Sequence, residues 1–186
     1  MYIKEVNMKQ VSFKEAMQYW SKPERIVLVT SCDEEGNPFV MTAGWKMRAS
    51  FKPPMLAIAV GKNRTTHQNI SATGEFVVAV PGADLAKEAL DCGMPSSNDQ
   101  DRFELCGFSK KPGSFVKAPL IEKCIASFEC KLYGQVDSGD HTVFVGEVKA
   151  AWLNEHPKKP LLIVGEEKGY EALAVEGPYR LGIVNT

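Results

Sequence analysis

Several signatures that would assign this chain at a glance are missing. No apolar run approaches the roughly 20 residues needed to cross a bilayer. The N-terminal Met1-Tyr2-Ile3-Lys4-Glu5-Val6-Asn7 has no apolar core of the signal-peptide kind. Together these imply a cytoplasmic protein without a membrane partner. An excess of one charge is also missing: 22 Lys and Arg stand against 23 Asp and Glu. That balance argues against a dedicated nucleic-acid binder. Cys32, Cys92, Cys106, Cys124 and Cys130 include no Cys-x-x-Cys pair and match no zinc spacing, so a metal site is not expected. No Gly-x-Gly-x-x-Gly follows a strand, which speaks against a Rossmann dinucleotide fold, and neither Gly-x-Ser-x-Gly nor His-Glu-x-x-His occurs. Internal repeats and low-complexity tracts are absent as well.

What is present suits one soluble domain spanning 1–186, large enough for a substantial core. Ser12 to Trp20 has Phe13, Ala16, Met17 and Trp20 at helical spacing, with Ser12 and Glu15 forming a capping box. Ile26 to Ser31 is a continuous β-branched run, as in a strand covered on both faces. Asp33 to Pro38 is a polar turn into Phe39 to Thr42, and Met55 to Val60 is another strand. Gly74 stops a helix before Phe76 to Val80, and Asp84 caps a further helix that ends near Gly93. Met94 to Pro119 reads as a long surface excursion with one helical turn at Arg102 to Leu105.

Cys124 to Val136 and His141 to Trp152 alternate as the arms of a hairpin around Asp137-Ser138-Gly139-Asp140. In the first arm Cys124, Ala126, Phe128, Cys130 and Leu132 share a face against Ser127, Glu129 and Lys131. In the second, Phe144, Val148, Ala150 and Trp152 share one. After the short strand Leu161 to Val164 comes a tail rich in Gly and aromatics. The expected fold is mainly β with flanking helices: an N-terminal helix 12–20, an antiparallel barrel core at about 26–152 and a C-terminal tail 153–186. Antiparallel strands hide their edges most readily by closing into a barrel.

Two loops carry the candidate chemistry. Thr42-Ala43-Gly44-Trp45-Lys46-Met47-Arg48-Ala49-Ser50 is rich in backbone donors. Gly61-Lys62-Asn63-Arg64-Thr65-Thr66-His67 is basic, hydroxyl-rich and opens a helix. A helix start presents unpaired N–H groups and a positive dipole end, which suit a phosphate, and Arg64 adds a forked donor. The same residues also fit a plainer arrangement, with Thr65 or Thr66 capping the helix and Arg64 solvated.

The order of these pieces resembles the flavin reductase-like, FMN-binding split-barrel family and its flavoredoxin branch. The matching segments run from Ile26 to Trp152. They include Thr42-Ala43-Gly44-Trp45, Ser50-Phe51-Lys52-Pro53-Pro54, Arg64-Thr65-Thr66-His67-Gln68-Asn69-Ile70 and Gly139-Asp140-His141-Thr142-Val143-Phe144. The resemblance implies a homodimer with FMN, less often FAD, in a groove near the subunit interface. Under it, Thr42, Ala43, Gly44, Trp45 and Lys46 run along the flavin ring, largely through their backbone, and Ser50 lies nearby. Asn63, Arg64, Thr65, Thr66 and His67 take the phosphate end. His141 shapes a site for the nicotinamide of NADH or NADPH. Many reductases of the family carry small hydroxyl residues where Gly44 and Trp45 stand, and Trp45-Lys46 is more like the flavoredoxin branch. A Lys at the N1–C2=O edge would favour negative charge there. The implied activity is NAD(P)H:flavin oxidoreduction. The alternatives are a flavoredoxin-type carrier reduced by a protein partner and a flavin-binding module without turnover of its own.

Overall fold

The computed structural model describes residues 8–17, 20, 23–94, 101–164, 170–176 and 179–184. Its first element, α1 (Phe13–Met17), is capped as the sequence suggests, Glu15 N donating to Ser12 Oγ at 3.2 Å. Residues 18–19 of the expected helix lie outside the described residues. None of α1 is buried, and Phe13 is 80% exposed. After the short β1 (Glu24–Arg25) comes β2 (Val27–Cys32), whose six residues are all buried. Alternation explains why: Val27 and Val29 belong to one apolar cluster, and Leu28 to another on the opposite face.

The chain continues through β3 (Pro38–Ala43), β4 (Lys46–Phe51), β5 (Pro54–Gly61), α2 (Thr65–Thr73) and β6 (Glu75–Val80). It then forms α3 (Ala86–Gly93), α4 (Arg102–Leu105), β7 (Lys110–Lys111), β8 (Leu120–Ile121), β9 (Ala126–Ser138) and β10 (His141–Leu153). Seven strands make one antiparallel sheet in the order β3-β2-β6-β9-β10-β5-β4. Its two outermost strands, β3 and β4, are joined by only Gly44 and Trp45. So short a link spans about 10 Å at most, so the sheet curls until its edges meet there: a split barrel. Inside lie Val27, Val29, Ile58, Val60, Phe76, Val78, Cys130 and Phe144, with Ile70 of α2 against them. Gly146 is needed there, since a Cβ would collide with the Phe76 ring and come within 2.8 Å of Cys130 Cβ.

Several sequence expectations are corrected. The stretch Lys46 to Ser50 is strand rather than loop, leaving only Gly44-Trp45 irregular. Asp84 does not cap α3: a 3-10 turn at Ala83–Leu85 comes first, and the cap position is Leu85, without a side-chain bond. The segment after Met94 is not a surface excursion throughout. Phe103, Cys106, Phe108, Val116 and Ala118 are buried, with Phe103 and Phe108 edge to face at 6.4 Å.

That segment also covers the outer face of β9. Glu129, expected outside, is wholly buried. It accepts from Ser114 N, Phe115 N and Val116 N at 2.6–3.0 Å and from Trp152 Nε1 at 2.8 Å. Burial alone would raise its carboxyl, but these donors hold it below the usual glutamate value. Trp152 reaches it because a register shift between Val148 and Ala150 flips the face: Val148 stands opposite Cys130, Ala150 opposite Glu129 and Trp152 opposite Ser127. Phe144 and Val148 therefore do not share a face with Ala150 and Trp152. Likewise Cys124 precedes β9 and packs in the outer cluster, whereas Cys130 is inside the barrel. All five cysteines are buried free thiols.

The tail holds more strand than the single short one expected. Strands β11 (Leu162–Ile163), β12 (Tyr170–Glu176) and β13 (Tyr179–Val184) form a second sheet with β1 in the order β1-β11-β13-β12. The outer cluster, with Leu28, Leu85, Ala89, Leu90, Leu161 and Leu181, fills the space between this sheet, α3 and the barrel wall. No helix of the described residues is long and apolar enough to cross a membrane.

Candidate functional site

Pairing of β10 with β5, and of β5 with β4, brings distant residues together. His141 stands opposite Gly61, at the start of the loop into α2, and Lys62 N donates to Asp140 O at 3.0 Å. One strand further, Trp45 O accepts from Ala59 N at 2.9 Å, and Ala59 is itself paired with Val143. The result is contact between two candidates 96 positions apart. The Trp45 and His141 rings lie 4.5 Å apart, tilted by 34°. Trp45 is 56% exposed and so is not a core residue. His141 Nδ1 is 2.8 Å from Asp140 Oδ1. Because an ionised carboxylate only accepts, this nitrogen carries the proton. Its bond to His141 holds the Asp140 carboxyl below the usual range.

Three neighbouring cavities, each sharing lining residues with the next, extend from the start of α2 past Trp45. The first, of about 190 Å³, is lined by Thr42, Asn63, Arg64, Thr65 and Thr66 together with Arg102. The second, about 210 Å³, shares Thr42 and Gly93 with it and extends to Gly44 and Trp45. The third is larger, about 750 Å³, shares Glu24, Gly44 and Trp45 with the second, and opens over Lys46, Met47, Val143 and the apolar side of α1. Glu24 reaches back to this point, its carboxylate within 2.6 Å of where a Cβ at Gly44 would stand. Burial pushes the Lys46 ammonium down from its ordinary value; Glu24 opposes this and Arg25 adds to it.

The start of α2 has the character of an anion site. Its cap position is Arg64 itself, with no side-chain capping bond, so the capping role considered for Thr65 and Thr66 is not what the structure shows. Thr66 is fully buried and its hydroxyl has no partner among the described residues. First-turn N–H groups, a forked cation and hydroxyls thus converge at one end of the groove.

Three expected site residues point elsewhere. Ala43 is buried inside the barrel wall. Ser50 lies toward the far end of β4, opposite Met55. His67 turns toward β10, its Nε2 2.9 Å from Thr142 Oγ1 and its ring edge-on to Phe144 at 5.1 Å. The Thr142 hydroxyl donates to Asp137 Oδ1 at 3.0 Å, so it must accept from a proton on His67 Nε2.

Arg102 and Glu24 are the charged lining residues of these cavities that sequence reasoning passed over. For Arg102 the available sign was its place between Asp101, which caps α4, and the core residue Phe103.

The model for the flavin reductase like domain matches residues 21–172. This chain belongs to that family. It is 40% identical over 126 residues to an uncharacterised protein of Archaeoglobus fulgidus, covering 68% of this chain and 70% of the other. The NADH:FAD oxidoreductase of Streptomyces globisporus superposes with a TM-score of 0.72 at 29% identity, over 84% of this chain and 93% of that one. A flavoredoxin from Methanosarcina acetivorans gives 0.71 at 26% identity, over 87% of both chains. Flavin binding is therefore a property of the family to which this groove belongs, and the split-barrel fold is shared.

Proposed function

We propose that the groove holds FMN and that the protein is an NAD(P)H:flavin oxidoreductase. One observation carries this: an anion end and an exposed aromatic end, in neighbouring cavities that share Thr42 and Gly93, in a flavin reductase-like fold. The residues fit the group, since a buried, unpartnered hydroxyl stands at the anion end. When bound, FMN supplies a two-electron acceptor for hydride and returns those electrons to a further acceptor.

The chain's own residues bind and orient. Arg64 and the start of α2 hold the phosphate. Trp45 covers part of the ring, with stacking worth roughly 0.5–1.5 kcal/mol. Lys46 offers positive charge beside it. His141, fixed by Asp140 and packed on Trp45, positions a nicotinamide; hydride transfer demands placement more than a proton carrier at this point. Around the ring end, Phe13, Trp20 and Met47 are exposed apolar residues. We infer that a second copy of the chain covers this face, giving a homodimer with the flavin near the interface.

A carrier role of flavoredoxin type is the second reading, favoured by the exposed Trp45 and the likeness to a flavoredoxin. Anaerobic stopped-flow of the FMN-loaded protein separates the two. A reductase bleaches rapidly and saturably with NADH or NADPH, and His141→Ala mainly raises KM for the nicotinamide. Bleaching by dithionite alone would reject the reductase.

A further inference from the structure

Two nucleophilic side chains play no part in the function proposed above. Cys92 sits in the last turn of α3, and Cys106 follows directly on α4 as its C-terminal cap residue. Both belong to the outer cluster, 1% and 3% exposed. Arg102 bridges the two helix ends. Its Nη2 donates to Cys92 O at 2.9 Å and to Met94 O at 3.0 Å, and its own carbonyl accepts from Cys106 N at 3.1 Å. The two thiols are in hydrogen-bonding contact with each other. The other cysteines have no such neighbour. Cys130 is inside the barrel, Cys32 belongs to a third cluster with Val77 and Val116, and Cys124 answers to burial and Asp84 rather than to a sulfur. Contact with Cys92 and the nearby Arg102 cation hold the Cys106 thiol below its ordinary value despite burial. Cys92 also lines the cavity of about 190 Å³, which has room for a small oxidant.

We propose that Cys92 and Cys106 are a redox-active dithiol that closes to a disulfide when hydrogen peroxide enters this cavity, tying the end of α3 to the end of α4. The deprotonated sulfur of the pair attacks one peroxide oxygen. An S–O bond forms, the O–O bond breaks, and the departing hydroxide takes up a proton to leave as water. The second thiol then gives up its proton and attacks the sulfenic sulfur. The S–S bond forms, the S–O bond breaks, and a second water leaves. Two electrons pass from the sulfurs to the peroxide, which ends as two waters. The pair needs no flavin for this chemistry. The bond would close a loop of about 15 residues and so restrict the unfolded chain.

The test treats the native, fully reduced protein with hydrogen peroxide, then unfolds, alkylates and digests it for mass spectrometry. The intact chain should lose the mass of two hydrogens, and one linked pair of peptides should carry Cys92 and Cys106. Cys32, Cys124 and Cys130 should be recovered alkylated, and dithiothreitol should restore the starting mass. Cys92→Ala or Cys106→Ala abolishes the link, whereas Cys124→Ala leaves it in place. The linked protein should melt about 6–12 °C above the reduced one. In urea the same treatment should give mixed pairings among the five cysteines, because only the fold selects this pair. A native link to any other cysteine overturns the assignment. So does a pair that stays reduced, or one that goes on to sulfinic acid without linking. A lower melting temperature for the linked form would show that the fold must distort to make the bond, and would overturn it equally.

Discussion

Replacing Glu129 by Gln tests how the segment after α4 is fastened to the barrel. The carboxylate is wholly buried and accepts from three successive amides and an indole: Ser114 reaches both oxygens, Phe115 and Val116 reach Oε2, and Trp152 reaches Oε1. Glutamine keeps the shape but turns one acceptor into a donor. Whichever way the amide is placed, at least one N–H must then face another N–H. If the NH2 takes the Oε1 position, the indole of Trp152 can turn to water, since that residue is 36% exposed. The loss is then one charge-assisted bond plus the weakening of the remaining three, about 2–3 kcal/mol. For a chain of this size that corresponds to a fall of about 4–12 °C in Tm.

The pH dependence has a definite sign. The folded carboxyl lies below its ordinary value because the donors outweigh the burial cost. Its contribution is thus complete above the unfolded value of about 4.3 and is lost as pH falls through the folded one. Urea unfolding of both proteins should show a constant gap from about pH 8 to about pH 5 that narrows in more acid solution. Equal stability at pH 7 would refute the reasoning. A gap that persists unchanged at pH 3 would show that packing rather than charge is responsible.

Other expectations follow from the groove and its surroundings. Arg64→Ala should weaken FMN about tenfold or more while affecting riboflavin much less; equal losses would show that Arg64 does not read the phosphate. Trp45→Leu should weaken both flavins alike, by roughly 0.5–1.5 kcal/mol, and relieve quenching of flavin fluorescence. Unchanged quenching would place the ring away from Trp45. Light scattering with FMN present should give twice the chain mass at micromolar concentration, and a monomer mass throughout would sink the dimer.

Much of the barrel was legible because its strands announce themselves locally. The unbroken run at Val27 to Cys32 is buried on both faces, Gly74 ends α2 at φ 67°, and Gly139 turns the long hairpin at φ 64°. Alternation failed where the sheet is irregular. A bulge near Val148 reverses the parity of everything after it, and no composition signal marks the place. Glu129 read as exposed because a carboxylate usually is; only the tertiary arrival of three consecutive amides makes its burial tolerable. In the site, Arg64, Thr66, Gly44 and Trp45 stood out as helix-start and loop residues, and the structure brings them to one groove. The side chains of Ala43 and His67 turn away from it, because the strand alternates and the helix directs His67 toward Thr142. Arg102 was passed over for a different reason. Its sign in the sequence is faint, because its burial depends on where α4 docks, which is set by Phe103 in the core and by the carbonyls at the end of α3.

A crystal structure of the FMN complex tests the central claim most directly. The account predicts one FMN per subunit, its phosphate at the start of α2 beside Arg64 and its ring against Trp45. Flavin density in any other part of the molecule, or a phosphate turned away from α2, would contradict it.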